Sequence, residues 1–310
     1  MAGDVAEVQA LLAADPHLAA SCGCCRCTGA IYSALYLAAE NGHREVARLL
    51  VEAGAPLGEP AAPGEWSPLA IALAAGHDEL AQDLLAHGAP RDVWAAAALG
   101  DLARVQALVA AQPERLAGRG PDGAQPLHFA RSVELAHWLV AQGADPLARD
   151  TVHANTPARW AAADSRRPEV AEYLLRFDPE TELFLACAQG DAARAARVLD
   201  AAPELVNALG TPRDLLCSGT PLHCAIERGD EALADLLLAR GADPGARSAW
   251  GHYPLHSAVM RGRLACVELL LAHGARPAVR DRCRGLTPRE WALRYRRDDL
   301  ADLLAAAEQA

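Results

Sequence analysis

The chain has 310 residues, 52% of them apolar, and a formal net charge of −11. That length fills two ordinary globular domains or one long repeat array, and the acidic balance argues against broad nucleic-acid binding through nonspecific charge. Aromatic residues are only 5%, so the core must be built from Ala, Leu and Val, and the high helix propensity of Ala and Leu points to an all-helical class.

The chain opens Met1-Ala2-Gly3-Asp4, without the basic segment and apolar run of an export signal, and no stretch reaches the 18 consecutive apolar residues of a membrane span. A cytoplasmic location without membrane insertion is the expectation, with secretion as an effector left open. Gly3-Asp4-Val5-Ala6-Glu7-Val8-Gln9-Ala10-Leu11 is echoed by Gly100-Asp101-Leu102-Ala103-Arg104-Val105-Gln106-Ala107-Leu108. The echo predicts that the N-terminus is the second helix of a pair whose first helix is missing. Cys22-Gly23-Cys24-Cys25-Arg26-Cys27 then places four thiols within six residues. Thiolates suit zinc, copper(I) or iron–sulfur ligation, which makes Cys22, Cys24, Cys25 and Cys27 metal candidates, although spacing this tight makes a tetrahedral cage from one loop awkward. The other five cysteines, Cys187, Cys217, Cys224, Cys266 and Cys283, are scattered singly, as reduced thiols are.

A recurring pattern follows. Ser33-Ala34-Leu35-Tyr36 leads to Gly42-His43, Leu49-Leu50 and Gly54-Ala55; Ser67-Pro68-Leu69-Ala70 leads to Gly76-His77, Leu84-Leu85 and Gly88-Ala89, after a Pro/Gly-rich insertion at 56–64 that reads as a lengthened surface loop. A third unit, about 92–118, keeps Trp94, Gly100-Asp101 and Leu108-Val109. The fourth opens with Gln125-Pro126-Leu127-His128-Phe129-Ala130 but reaches Glu134 three residues early, a deletion that should shorten its first helix or tighten the following turn. In the fifth, Thr156-Pro157-Ala158-Arg159-Trp160-Ala161, Arg159 replaces the His of its neighbours, and Ser165-Arg166-Arg167-Pro168 replaces the joining Gly. The sixth, about 180–208, carries Leu183-Phe184-Leu185-Ala186-Cys187 and Gly190-Asp191. The seventh and eighth are the strongest, Gly219-Thr220-Pro221-Leu222-His223-Cys224-Ala225 and Gly251-His252-Tyr253-Pro254-Leu255-His256-Ser257-Ala258, and Leu286-Thr287-Pro288-Arg289-Glu290-Trp291-Ala292 opens a ninth.

His223 and His256 stand 33 residues apart, each followed by Leu-Leu-Leu and then Gly-Ala. A helix pair of that size cannot bury its own apolar face, so the period implies a solenoid of stacked units. Thr caps the first helix, Pro takes an opening position where its missing N–H is harmless, and Gly ends helices. These motifs resemble the ankyrin repeat, and the resemblance covers nearly the whole chain. It implies an all-α repeat solenoid of helix-turn-helix units joined by β-turn or hairpin loops, as a single ankyrin-repeat domain over 1–310. Within it lie a leading capping helix and Cys-rich loop (1–27), repeats one and two (28–91), irregular central repeats (92–180), and C-terminal repeats with a cap (181–310). It also implies that His223, His256 and His128 bond to the backbone of the adjoining turn; zinc binding by imidazoles of neighbouring repeats is the competing reading.

The resemblance implies noncatalytic protein binding, as adaptor, inhibitor or effector, on a concave face lined by turn tips and the exposed ends of first helices. Aligned on the two strongest repeats, that face selects Glu227, Arg228, Trp250, Met260 and Arg261; it continues through Arg284, Arg294 and Tyr295, with Asp122, His153 and Asn155 earlier in the chain. A turn-tip indole such as Trp250 suits an interface hot spot, or else folds back over the next turn. Arg276, Arg280, Arg282, Arg284, Arg289, Arg294, Arg296 and Arg297 face few carboxylates, which fits either a solvated cap or an acidic peptide partner. The expected partner is therefore another protein or an acidic peptide segment, with self-association open. The chain has no Gly-x-Ser-x-Gly elbow, phosphate loop or His-Glu-x-x-His helix, so no cofactor is expected. The alternative in another class is an atypical metal-dependent enzyme or hydrolase using the irregular central repeats or the cysteine loop.

Overall fold

The computed structural model describes residues 5–20, 22–24, 31–58, 66–210 and 217–309. The chain divides into two compact units, Met1–Val152 and His153–Ala310. In the first, α1 (Val5–Ala14) is followed by a 3₁₀ turn and by a two-stranded antiparallel ladder of β1 (Cys22–Cys24) and β2 (Ile31–Ser33), with Gly23 opposite Tyr32. Helix pairs follow: α2 (Ala34–Glu40) with α3 (Arg44–Glu52), α4 (Pro68–Ala75) with α5 (Asp78–Ala86), and α6 (Val93–Leu99) with α7 (Leu102–Ala111). The fourth pair is a single 3₁₀ turn, Pro126–Phe129, with α8 (Val133–Ala141). The second unit holds five pairs among its described residues: α9 (Pro157–Ala163) with α10 (Pro168–Leu175), α11 (Pro179–Gln189) with α12 (Ala192–Ala201), α13 (Pro221–Arg228) with α14 (Glu231–Ala239), α15 (Pro254–Arg261) with α16 (Leu264–Ala272), and α17 (Pro288–Arg294) with α18 (Asp298–Ala307). Both units are thus stacks of helix-turn-helix repeats. The sequence-predicted insertion loop lies largely outside the described residues.

Helices of seven to eleven residues are too short to persist alone. Their ends are fixed locally: the side-chain oxygens of Ser33, Ser67, Asp92, Thr156 and Thr287 accept a backbone N–H three residues on, each such cap contributing about 1 kcal/mol. Their faces are fixed by stacking. In the second unit α13 packs on both α11 and α15, and α15 on α17, burying Leu183, Phe184, Leu222, Ile226, Leu237 and Leu270 in one continuous core. Ala186, Ala225, Ala258 and Ala292, all buried, line the first helices and let them approach closely. In the first unit α1 packs against α3, as the second helix of a pair should.

The repeat histidines hold the frame. The Nδ1 of His223 accepts the Thr220 N–H at 3.1 Å, so Nε2 carries the proton and donates to the His252 carbonyl of the next repeat, 3.2 Å away. Nε2 of His256 repeats this towards the Leu286 carbonyl at 3.0 Å, and Nδ1 of His128 accepts the Gln125 N–H at 3.1 Å. Burial pushes His223 down to about 4 and lowers His256, so both stay neutral at physiological pH.

The irregular repeats keep the stack by local substitution. The three-residue deletion reduces the fourth first helix to one buried 3₁₀ turn, after which Ser132 caps α8. Arg159, in the histidine position, is only 1% exposed; it pairs with Glu180 at 3.8 Å and lies 4.8 Å from the centre of the Phe184 ring. Where the joining Gly is missing, Asp164 receives Arg166 at 2.9 Å and Arg167 at 3.1 Å. Burial alone would raise the Asp164 carboxyl, but the Arg166 hydrogen bonds and both guanidinium charges hold it below its ordinary value.

Candidate protein-binding surface

The turns that precede the first helices carry the candidate residues. Asp122, His153, Cys217, Trp250 and Arg284 each stand four residues before the helix-opening proline, and backbone hydrogen bonds tie successive turns together. In the second unit the Ala249 N–H donates to Ser218 O at 2.8 Å and the Arg282 N–H to Gly251 O at 3.2 Å; in the first, Thr151 donates from both N–H and Oγ1 to Asp122 O at 2.9 Å. Within each unit, the turns so bonded are set in register by the main chain.

Trp250 is 55% exposed, and among the described residues its indole has no hydrogen-bonding or ring partner; its carbonyl accepts the Cys283 thiol at 2.7 Å. On the adjoining first-helix ends, Arg261 and Glu227 form an exposed pair at 3.6 Å, and Met260 is half-buried against the core. Arg228 is committed to the scaffold: its guanidinium donates to Ala188 O at 2.7 Å in the preceding repeat and lies over Gly190. In the last repeat, Trp291 is a buried platform. The Arg284 and Arg294 guanidiniums lie 5.8 and 6.0 Å from its ring centre, and the exposed Tyr295 stacks on it at 5.6 Å.

Beneath this platform Asp281 is buried. Its Oδ1 accepts the Arg284 and Gly285 N–H groups at 2.6 and 3.1 Å, and its Oδ2 accepts the Trp291 indole N–H. Burial would raise this carboxyl, but the Arg284 and Trp291 hydrogen bonds, with His256 and His252 nearby, hold it below the usual carboxylate range.

Three expected contact residues are placed differently. Asn155 is a correction: it is fully buried, as is Ala124, which holds the same position before the first-helix proline of the fourth repeat. It offers no side chain to a partner. His153 is half-buried, its ring 6.4 Å from that of Trp160 in an edge-on contact. Asp122 is half-buried in the first unit, at a φ of 55° that its Thr151 hydrogen bonds hold.

Of the metal candidates, Cys22 and Cys24 lie on β1, whereas Cys25 and Cys27 fall outside the described residues. Among the described residues no group of three or more His, Cys, Asp or Glu side chains is arranged to hold a metal ion, and no helix is long and apolar enough to cross a membrane. Cys187, Cys217, Cys224, Cys266 and Cys283 are free thiols. Burial pushes Cys187 up to about 12, and a hydrogen bond with Cys217 together with burial raises Cys224; both are protonated and inert at neutral pH.

Sequence reasoning missed a cavity of about 340 Å³ at the base of the loop that carries Trp250, walled by Arg247, Tyr253 and Arg276. The signal was present: Tyr253 stands where other repeats have Ser or Thr, and Arg276 where Asp145 and Asp243 follow Gly-Ala.

A family model described as ankyrin repeats, in three copies, matches residues 1–93 and 222–310. The stretch left outside that match contains the shortened fourth repeat and the Arg159 substitution. Among solved structures, the chain is similar to the ankyrin repeat domain of Bcl-3, described as a unique member of the IkappaB protein family. The identity is 28%, over 69% of this chain and 97% of that one, with a TM-score of 0.44. No curated protein matches.

Proposed function

Because the chain belongs to the ankyrin-repeat family, whose repeats generally mediate protein–protein interaction, we propose that it is a noncatalytic adaptor, inhibitor or effector. It binds a protein partner through the turn tips and first-helix ends of the second unit, on the concave face that the family uses. The observation that carries this reading is Trp250: a large amphipathic ring, more than half exposed, at a turn tip whose backbone is hydrogen-bonded to both neighbouring turns. Such a ring contributes contact area at low entropic cost, the property of interface anchors. Arg261, Glu227 and Met260 supply the surrounding charge and soft apolar surface, and Arg284, Arg294 and Tyr295 extend the face towards carboxylate-bearing partners.

The test compares proteins captured by the wild-type chain and by a Trp250→Ala/Arg261→Ala variant of unchanged stability. Selective loss of wild-type partners supports the face; retention of every partner refutes it.

A further inference from the structure

Two residues depart from the repeat's own pattern and meet in one place. Tyr253 is the N-cap of α15, and its side chain makes no capping hydrogen bond, whereas Ser67, Thr156 and Thr287 at that position do. Arg276 follows Gly274-Ala275, where two other repeats have an aspartate. Those aspartates close their turns: Asp145 accepts the Leu147 N–H at 2.9 Å and Asp243 accepts the Gly245 N–H at 2.7 Å. An arginine cannot accept such a bond. Each departure therefore gives up a local stabilising interaction, and both line the same cavity of about 340 Å³.

The cavity has a defined chemistry. Leu255, Ala275 and Val279 form an apolar floor. Arg247 stands over the Tyr253 ring, 5.5 Å from its centre. The counterpart of Arg247 in the next repeat, Arg280, is neutralised by Glu290 at 3.0 Å and bound to Gly285 O at 2.6 Å. Among the described residues neither Arg247 nor Arg276 has a carboxylate partner. The acidic side chain that also lines the cavity, Asp243, is held in its own turn by Gly245. A sequence shaped by stability alone would keep the capping Thr and the turn-closing Asp, and rule-breaking residues that cluster mark functional sites.

We propose that this cavity is a binding pocket for an acidic peptide segment of a partner protein. An apolar side chain of the peptide enters between Tyr253 and the floor of Leu255 and Val279, and flanking carboxylates meet Arg247 and Arg276 in forked, charge-assisted hydrogen bonds. Charge complementarity selects this occupant: two guanidiniums without ion pairs, Arg247 and Arg276, border a cavity of mixed polar and apolar lining, in a stretch of the chain where arginines outnumber carboxylates. The proposal rests on the reading of the chain as a protein-binding module and adds a second contact site with its own chemistry.

The full chain is titrated with a fluorescein-labelled peptide of alternating glutamate and leucine, and with control peptides carrying glutamine or lysine in place of glutamate, by fluorescence anisotropy. The glutamate peptide binds, the glutamine peptide binds at least about tenfold more weakly, and affinity falls as salt rises from about 50 to about 300 mM. Arg247→Gln, Tyr253→Thr and Arg276→Asp each weaken binding by about tenfold, while Arg276→Asp, which restores the turn-closing carboxylate, raises the urea midpoint. Loss of binding with gain of stability excludes a merely structural role. Equal affinity for the glutamate and glutamine peptides, or unchanged affinity in the pocket variants, overturns the proposal. If the peptide follows the Trp250→Ala/Arg261→Ala variant and ignores the pocket variants, the pocket is refuted while the protein-binding reading stands.

Discussion

Replacing His223 with alanine removes a buried ring that joins two repeats, and its effect depends on pH in a way the geometry dictates. The substitution deprives the Thr220 N–H and the His252 carbonyl of their partner. Orphaned buried groups cost about 1–3 kcal/mol each, so a destabilisation of about 3 kcal/mol is expected near neutral pH. The same ring is held at about 4 against an ordinary value of 6.5, because burial opposes the charged form. Between those values the unfolded chain binds a proton that the folded chain does not. Stability from this group is thus fully present above about pH 6.5 and is lost as pH falls towards 4, an interval worth about 3 kcal/mol. The difference between wild type and His223→Ala, measured by urea unfolding with circular dichroism at closely spaced pH values, should therefore be largest near neutrality and close to within about 1 kcal/mol by pH 4. His256 is lowered in the same direction but is common to both proteins and cancels. A gap that stays constant from neutral to acidic pH would refute the neutral, frame-holding role.

Substitutions at three further positions test the frame. Gly229→Ala places a side chain at a φ of 76°, where the added Cβ meets the movable Arg263 chain at 2.7 Å; the backbone term dominates, and a loss of about 1–2 kcal/mol is expected by urea unfolding. Arg159→Ala leaves a void where a fully buried side chain packs on the Phe184 ring, for a loss of about 3 kcal/mol, whereas Arg159→Met keeps the volume and should recover most of it in the same measurement. Thr287→Ala breaks the reciprocal pair in which Glu290 N–H donates to Thr287 Oγ1 at 3.2 Å and Thr287 N–H to Glu290 at 2.8 Å, lowering stability by about 1 kcal/mol.

What was legible in the sequence is what repeats. The helix pairs and the scaffold histidines could be read because in a stack of repeats each regular unit faces the same neighbours, so one motif predicts many local environments; for the fourth repeat the deletion left open a shortened helix or a tightened turn, and the helix is what shortens. The proposed contact surface could be read only to the level of the turn. Trp250 and Arg284 stand at exposed tips, but Asn155, two residues on from its tip, is buried, and nothing in the turn motif distinguishes the two positions. Arg228 looked free in sequence because its acceptor, Ala188 O, is a backbone atom 40 positions away. The cavity at Tyr253 escaped because its walls come from two repeats, and each residue taken singly reads only as a weak match to the pattern.

Asp281 connects frame and face, and its replacement separates the two. The carboxylate accepts two turn N–H groups on one oxygen and the Trp291 indole on the other, so it fixes both the tip that carries Arg284 and the platform beneath Arg284 and Arg294. Asparagine has the same shape but only one accepting oxygen. In Asp281→Asn either the turn or the indole must face an NH₂ group, leaving a buried donor unmatched at a cost of about 1–3 kcal/mol. Because the Asp281 carboxyl is held below its ordinary value, its contribution is present above the unfolded carboxylate range and disappears as pH falls through the folded value; the variant lacks that acid dependence. Hydrogen exchange should then show either the Arg284 and Gly285 amides or the Trp291 indole N–H losing protection in the variant, while the Thr220 amide, bonded to His223, keeps it. Unchanged protection at all three donors would mean that the Asp281 carboxylate does not organise the arginine-bearing turn and its platform.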